Sequence, residues 1–330
     1  MKKLSNEDFL LLILEEFGSI SASRDLASNI MRSFSANCIF LEKDLSNLTL
    51  IDFSLPFYRK NNDFSSLVEK YNLNVNNYLK WENIFATIND INKKSKYSFV
   101  NEIWFEFDAK GFDELSNSIP GFFFDILNFT LKKTDLIIEL IFQIRGGTAS
   151  TILGNKIGSM LALLGSDCEK MGAGIFPGRK DLPIRIVSLT TQVKAIELLK
   201  HYQINDKILD FLRDEHSFIG EKVIIHFNIT DTDVNFQGIE LYSRENRNWE
   251  FVYESLVKHS LCDPKLKPQI LARSEAFFDN TIISEHIADP NSYSLFFYCC
   301  INHFKLVNNE KLNLKVYHKV DFFTKINKSK

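Results

Sequence analysis

The chain has 330 residues and a mass of 38.2 kDa, a length that serves either two ordinary domains or one closed barrel. Hydrophobic residues make up 45% and charged residues 25%, the composition of a folded globular chain, which argues against a disordered, collagen-like or membrane-spanning protein. A net charge of −3 with an isoelectric point near 6.2 supplies no basic field to recruit nucleic acid or an anionic membrane surface.

In chain order, Lys2 and Lys3 precede a short apolar run from Phe9 to Leu14. The polar stretch Ser5-Asn6-Glu7-Asp8 intervenes, and no small-residue cleavage site follows. Ser5 therefore reads as a helix N-cap with acidic residues in the first turn, opening an N-terminal helical region over residues 1–36. No uncharged apolar stretch approaches the roughly 20 residues that a membrane helix needs. The five cysteines, Cys38, Cys168, Cys262, Cys299 and Cys300, are odd in number and contain no C-x-x-C pair. They read as reduced thiols of a cytoplasmic protein, not as a disulfide framework or a zinc site.

Five times the chain then shows two β-rich runs close together: Cys38–Glu42 with Leu48–Phe53, Glu102–Asp108 with Gly121–Ile126, Met171–Phe176 with Ile184–Thr190, Lys222–Ile229 with Gly238–Ser243, and Leu295–Val307 with Leu312–Phe322. Helical periodicity lies between the pairs, at Val193–His201, Asp206–Glu215, Glu250–Leu261 and Pro264–Phe277, and more weakly at Tyr71–Lys94 and Ile157–Leu164. Glycine and proline together are about 6% of the chain, half of the roughly 12% of average usage, so little of it is spent on punctuation. No linker divides it. An antiparallel sheet removes its edges completely only by closing on itself. The expectation is one α+β domain over 1–330, a closed ten-stranded antiparallel barrel of five helix–strand–strand–helix units with the helices outside. Such a ring is wider than the roughly eight strands whose side chains can fill the interior, so its lumen holds water or a ligand.

With helices outside, the outward strand faces are apolar and the lumen faces polar. Ile103, Phe105 and Phe107 alternate with Glu102, Trp104 and Glu106, and Val223, Ile225, Phe227 and Ile229 with Lys222, Ile224, His226 and Asn228. Leu314, Val316 and Val320 oppose Lys315, Tyr317 and Lys319, and His303 and Lys305 oppose Phe304 and Leu306. A sheet with one face in bulk water alternates in the same way. Aromatic residues on the polar faces (Trp104, Tyr242, Tyr317) favour a lumen.

This arrangement resembles the ABBA, or PT-barrel, aromatic and peptide prenyltransferases, in topology and length and in Glu102–Asp108 (EIWFEFD), Gly238–Ser243 (GIELYS) and the closing hairpin with His303-Phe304-Lys305 and Lys315-Val316-Tyr317. The resemblance implies transfer of an allylic group from a prenyl diphosphate to a small-molecule or peptide acceptor, with no cofactor required beyond a possible Mg²⁺. It implies diphosphate-binding cations, for which Arg185, Lys305, Lys315, Lys319 and Lys222 are the candidates. Trp104, Tyr242 and Tyr317 would shield the allylic cation, with His226, Asn228 and His303 in the same pocket. Glu106, then Glu102, would orient the acceptor and take its proton.

Phosphate-loop, dinucleotide-binding, H-E-x-x-H, G-x-S-x-G and D-D-x-x-D strings are absent, and no two histidines stand at i, i+4 on a helix. Two other readings compete: a non-catalytic barrel that binds a peptide or hydrophobic molecule, with an apolar and neutral lumen, and an interaction protein whose hairpins never close.

Overall fold

A computed structural model of the chain describes residues 38–44, 51–61, 63–73, 81–107, 120–146, 150–165, 168–177, 182–204, 206–214, 219–243, 249–268, 275–277, 294–308 and 312–325. The expected N-terminal helical region lies outside the described residues.

Eleven strands form one antiparallel sheet: β1 (Cys38–Asp44), β2 (Ile51–Tyr58), β3 (Val100–Phe107), β4 (Gly121–Leu127), β5 (Cys168–Ile175), β6 (Ile184–Thr191), β7 (Ile219–Ile229), β8 (Val234–Ser243), β9 (Glu275–Phe277), β10 (Ser294–Asn308) and β11 (Leu312–Lys325). Strands β1 to β8 pair in sequence, β8 pairs with β10, β10 with β11, and β11 returns to β1. Ten strands thus close a ring, with β9 attached beside β10. The expected barrel forms, and the open-hairpin reading is overturned. The ladders differ in length. That of β10 with β11 runs from Ser294↔Lys325 to Asn308↔Leu312, whereas that of β8 with β10 spans only Phe304↔Leu241 to Val307↔Gly238.

Helices fill the connections between hairpins. α1 (Asp63–Leu73) and α2 (Glu82–Lys93) lie between β2 and β3, α3 (Thr134–Arg145) and α4 (Thr151–Leu164) between β4 and β5. α5 (Gln192–His201) and α6 (Asp206–Arg213) precede β7, and α7 (Trp249–Lys258) follows β8. Their ends carry local signals. Ser150 Oγ accepts from Leu153 N at the start of α4, Thr191 Oγ1 accepts from Lys194 N at the start of α5, and Gly146 leaves α3 with φ +69°.

The main core is the layer between the strands and these helices. Ile103, Phe105 and Phe107 of β3 are completely buried there with Trp81 and with Phe85 and Ile88 of α2. The Trp81 ring lies 5.9 Å from that of Phe105 and 6.0 Å from that of Phe85. Val223, Ile225, Phe227 and Ile229 of β7, and Leu314 and Val316 of β11, face the same layer. Every apolar set assigned to an outward face is buried at the positions described, which leaves the alternate residues to the lumen.

The structure departs from the sequence expectations at several places. β2 continues through Pro56 to Tyr58, because the ladder with β1 ends at Phe40↔Ser54 and only β3 flanks the proline, which has no N–H to donate. β5 begins at Cys168, three residues early, and so includes Lys170. The expected helix Pro264–Phe277 is a single helical turn at Pro264–Leu266, with its last described part, Glu275–Phe277, in β9. The β8–β10 ladder covers only 304–307, and β9 satisfies the backbone of Tyr298–Cys300. Finally, α3 (TDLIIELIFQIR) is a helix that its β-branched run concealed. Among the described residues no helix is long and apolar enough to cross a membrane.

Candidate active site

The barrel lumen holds a cavity of about 380 Å³ that opens to the surface. Glu102, Trp104 and Glu106 of β3, Phe123 and Asp125 of β4, Lys170 and Gly172 of β5, and His226, Glu240, Tyr242 and Tyr317 from β7, β8 and β11 all line it. Strand alternation explains the membership, since residues i and i+2 share a face. Two clusters of charge occupy different depths.

The first lies near the barrel end where the strands of each hairpin meet. Lys305, Lys315, Arg185, Glu42, Asp52 and Glu106 all fall within the first or last four residues of their strands at that end. Lys305 and Lys315 are direct cross-strand partners, an arrangement that repels unless anions compensate it. They do: Lys315 Nζ forms an ion pair with Glu42 and lies 3.9 Å from Asp52 Oδ2, while Lys305 Nζ lies 3.7 Å from Glu240 Oε1. Burial pushes the Glu42 carboxyl up, but the positive charges of Lys315, Lys305 and Arg185 outweigh it and hold the carboxyl below its ordinary range. Burial holds Lys305 below the usual lysine range, against the pull of Glu240 and Glu42. Arg185 is buried, with its guanidinium carbon 4.4 Å from the Phe176 ring centroid, and its Nε donates to Asn228 Oδ1 at 3.0 Å.

Measured from the hairpin end, the second cluster is deeper, near the opposite ends of β3, β4 and β5. Lys170 Nζ lies 2.8 Å from Glu102 Oε2 and 2.6 Å from Asp125 Oδ2, and Trp104 Nε1 donates to Asp125 Oδ2 at 3.1 Å. Burial would lower the Lys170 pKa, but the two carboxylates raise it above the ordinary lysine value. Gly172, the cross-strand partner of Asp125, leaves room for this set, because a Cβ there would come within 2.5 Å of Asp125 Oδ1. Between the clusters, His226 Nε2 and Glu240 Oε1 are 2.7 Å apart, and Tyr242 OH donates to Glu240 Oε2 at 3.4 Å. Burial first, then the charge of Lys305, brings the His226 pKa down to about 4 despite Glu240. The imidazole is neutral at neutral pH.

The residues expected from the sequence sort as follows. Glu106, Glu102, Trp104, Tyr242, Tyr317 and His226 line the cavity. Lys315 pairs with Glu42, and the charges of Lys305 and Arg185 also act on that carboxyl, but none of the three is among the described walls of the cavity; Asn228 accepts from Arg185 on the neighbouring strand. Lys319 shares the face of Lys315 and Tyr317 but is not a wall of the cavity. Lys222 is displaced from the lumen. It is 48% exposed and pairs with Glu169 at 2.7 Å on the rim, because it stands where the β6–β7 ladder ends. The backbone of His303 opposes Tyr317, and its side chain lies outside the described ones.

Sequence reasoning passed over Lys170, Asp125, Glu240 and Glu42. Glu240 lies inside the GIELYS run, on the same face as Tyr242, so alternation alone could have found it. Asp125 is the one acid in GFFFDIL, a lone charge in an apolar strand. Among the described residues no group of three His, Cys, Asp or Glu side chains stands close enough to hold a metal ion.

No protein-family model matches the sequence, and no curated protein matches it. Solved structures do match in three dimensions. The crystal structure of 5-dimethylallyltryptophan synthase from Streptomyces coelicolor is similar over 97% of this chain and 98% of that one, with 10% sequence identity and a TM-score of 0.56. NotF prenyltransferase is similar over 96% of each chain, with 10% identity and a TM-score of 0.53. At that identity the likeness is one of architecture, and the chain has the closed ten-stranded PT-barrel fold that these two proteins share.

Proposed function

We propose that this lumen transfers an allylic group from a prenyl diphosphate to an acceptor held in the same cavity. One observation carries the reading: the charges of Arg185, Lys305 and Lys315 all act on Glu42 at the hairpin end of a closed barrel whose lumen has aromatic walls. A leaving diphosphate needs several fixed cations in a water-poor site, where charge-assisted contacts are strongest. Two lysines facing each other across a ladder cost repulsion, which Glu42 and Glu240 offset and which an anionic ligand would offset in place of Glu42. A dimethylallyltryptophan synthase and a prenyltransferase have the same fold, which supports the reading without identifying the acceptor.

In the proposed reaction the allylic C–O bond breaks, and its electron pair leaves with the diphosphate. Arg185, Lys305 and Lys315 stabilise that charge, with Arg185 held by Asn228. Glu42 must first yield Lys315 to the ligand. The allylic cation faces Trp104, Tyr317 and Tyr242, whose rings stabilise positive charge while excluding water. The acceptor supplies the electron pair of the new bond and loses a proton, which Glu106 takes at the hairpin end of the cavity.

The test is thermal unfolding with dimethylallyl or geranyl diphosphate, with and without Mg²⁺. Ligand at 100 times its Kd stabilises the fold by about 2.7 kcal/mol. A melting temperature that no chain length moves, under either condition, refutes the transfer reading. The non-catalytic alternative required an apolar and neutral lumen, and the charged clusters described here disfavour it.

A further inference from the structure

The cavity wall is lopsided in charge. Of the described residues that line it, Glu102, Glu106, Asp125 and Glu240 are carboxylates, whereas Lys170 is the only lysine or arginine. In the deep cluster Glu102 and Asp125 share that one ammonium. Two anions and one cation leave a net negative charge where the low dielectric screens it weakly. Burial pushes both carboxyl groups above their ordinary pKa, and Asp125 pushes Glu102 further. Glu240, across the lumen, adds to the rise at Asp125, so the negative charges act on one shared space.

A second observation points to a ligand independently. His226 is 5% exposed and lines the cavity. Its Nε2 faces a carboxylate of Glu240, which accepts, so Nε2 carries the proton and Nδ1 keeps the lone pair. Nδ1 is buried and has no hydrogen-bond partner. That lone pair goes unmet, and the described wall carries one lysine for its four carboxylates. It also offers aromatic faces to a cation: Lys170 Nζ already lies 5.9 Å from the Trp104 ring centroid. An anionic diphosphate fits this depth badly, which leaves it to the acceptor.

We infer that the acceptor presents an organic cation rich in N–H donors, an ammonium or guanidinium, against Asp125, Glu102 and Trp104, with the neutral lone pair of His226 as a further acceptor across the cavity. This deepens the prenyl-transfer reading, on which the word acceptor rests.

The experiment is calorimetric titration of the full chain with matched probes, in the presence and absence of the unreactive analogue dimethylallyl S-thiolodiphosphate. Tryptamine is compared with N-acetyltryptamine and indole-3-propionate, and phenethylguanidine with phenethylurea. Each cation is expected to bind at least about tenfold tighter than its neutral partner, and the anion weakest of all. Whichever of the two cations binds tighter assigns ammonium or guanidinium. Asp125→Asn is expected to abolish the preference while leaving the neutral probes' affinity unchanged, and Glu102→Gln supplies the same reading from the other carboxylate should that variant not fold. A neutral or anionic probe that binds as well as its cation, or no binding by any probe, overturns the inference. If the thiolodiphosphate binds and the cations do not, prenyl transfer stands without the cation site. If the cations bind and the thiolodiphosphate does not, the cation site stands and prenyl transfer falls.

Discussion

The two charge clusters of the lumen are built from the same residue types and put to opposite use. At the hairpin end, the charges of Lys305, Lys315 and Arg185 act on Glu42, and burial depresses Lys305 while its neighbours depress Glu42. In the deeper cluster one lysine serves two carboxylates, and burial raises both acids. The sign of the surplus decides which ligand each depth can hold. Each ion pair also supports the fold, so structural and ligand-directed roles have to be separated by measurement.

The largest expected effect tests the deep cluster. Lys170→Met removes the cation shared by Glu102 and Asp125, and breaking such a pair typically costs about 3 to 5 kcal/mol. Chemical denaturation should show a loss near the lower figure, as Lys170 is 28% exposed, while diphosphate affinity is unchanged. If diphosphate affinity falls too, the clusters are not separate.

Close behind is a pH effect at the group between them. His226 has a folded pKa of about 4 against an ordinary value of 6.5. Between those values the unfolded chain binds a proton that the folded chain does not, so stability is lost as pH falls from about 6.5 to about 4, by up to roughly 3 kcal/mol. In denaturation series His226→Gln should flatten that slope. A parent slope that persists in the variant would assign it to other groups.

At the hairpin end, Lys305→Met should weaken binding of dimethylallyl diphosphate by about ten- to a hundredfold, the value of one charge-assisted contact. Glu42→Gln should act in the opposite direction and tighten binding a few-fold, by releasing Lys315 from a competing anion; titration calorimetry reads both. If Glu42→Gln weakens binding, the carboxylate orders the lysines instead of competing for them. The smallest effect is Lys222→Ala, whose rim pair with Glu169 should be worth less than about 0.5 kcal/mol. A loss of diphosphate affinity in that variant would return Lys222 to the lumen.

How much of this was legible before the structure depends on the strand. β3 and β7 alternate cleanly between large apolar and polar residues, so Phe105 and Phe227 could be sent outward, and Trp104 and His226 inward, by parity alone. The ring followed from five hairpins whose edges had to be hidden. β5 (CEKMGAGI) resisted the same treatment, because two of its lumen positions are Gly172 and Gly174 and carry no side chain to complete the pattern. Its start was set at Met171, and Lys170 was lost with it. Lys222 failed differently: its parity is right, but parity does not say how far along a strand the enclosed space extends. The partnerships that define the site, Glu42 with Lys315 and Glu240 with His226 and Lys305, join strands distant in sequence or depend on register, which no local pattern encodes.

Ring closure has a consequence for how this chain is made. β1 begins at Cys38, yet one of its two edges is completed by Val316–Asp321 and the neighbouring residues of β11. During synthesis that edge stays unsatisfied until almost three hundred further residues have left the ribosome, and no enclosed lumen exists before then. Until then the lysines and carboxylates described here share no enclosed space, and β11, by joining β10 to β1, is the strand that turns a curved sheet into a vessel.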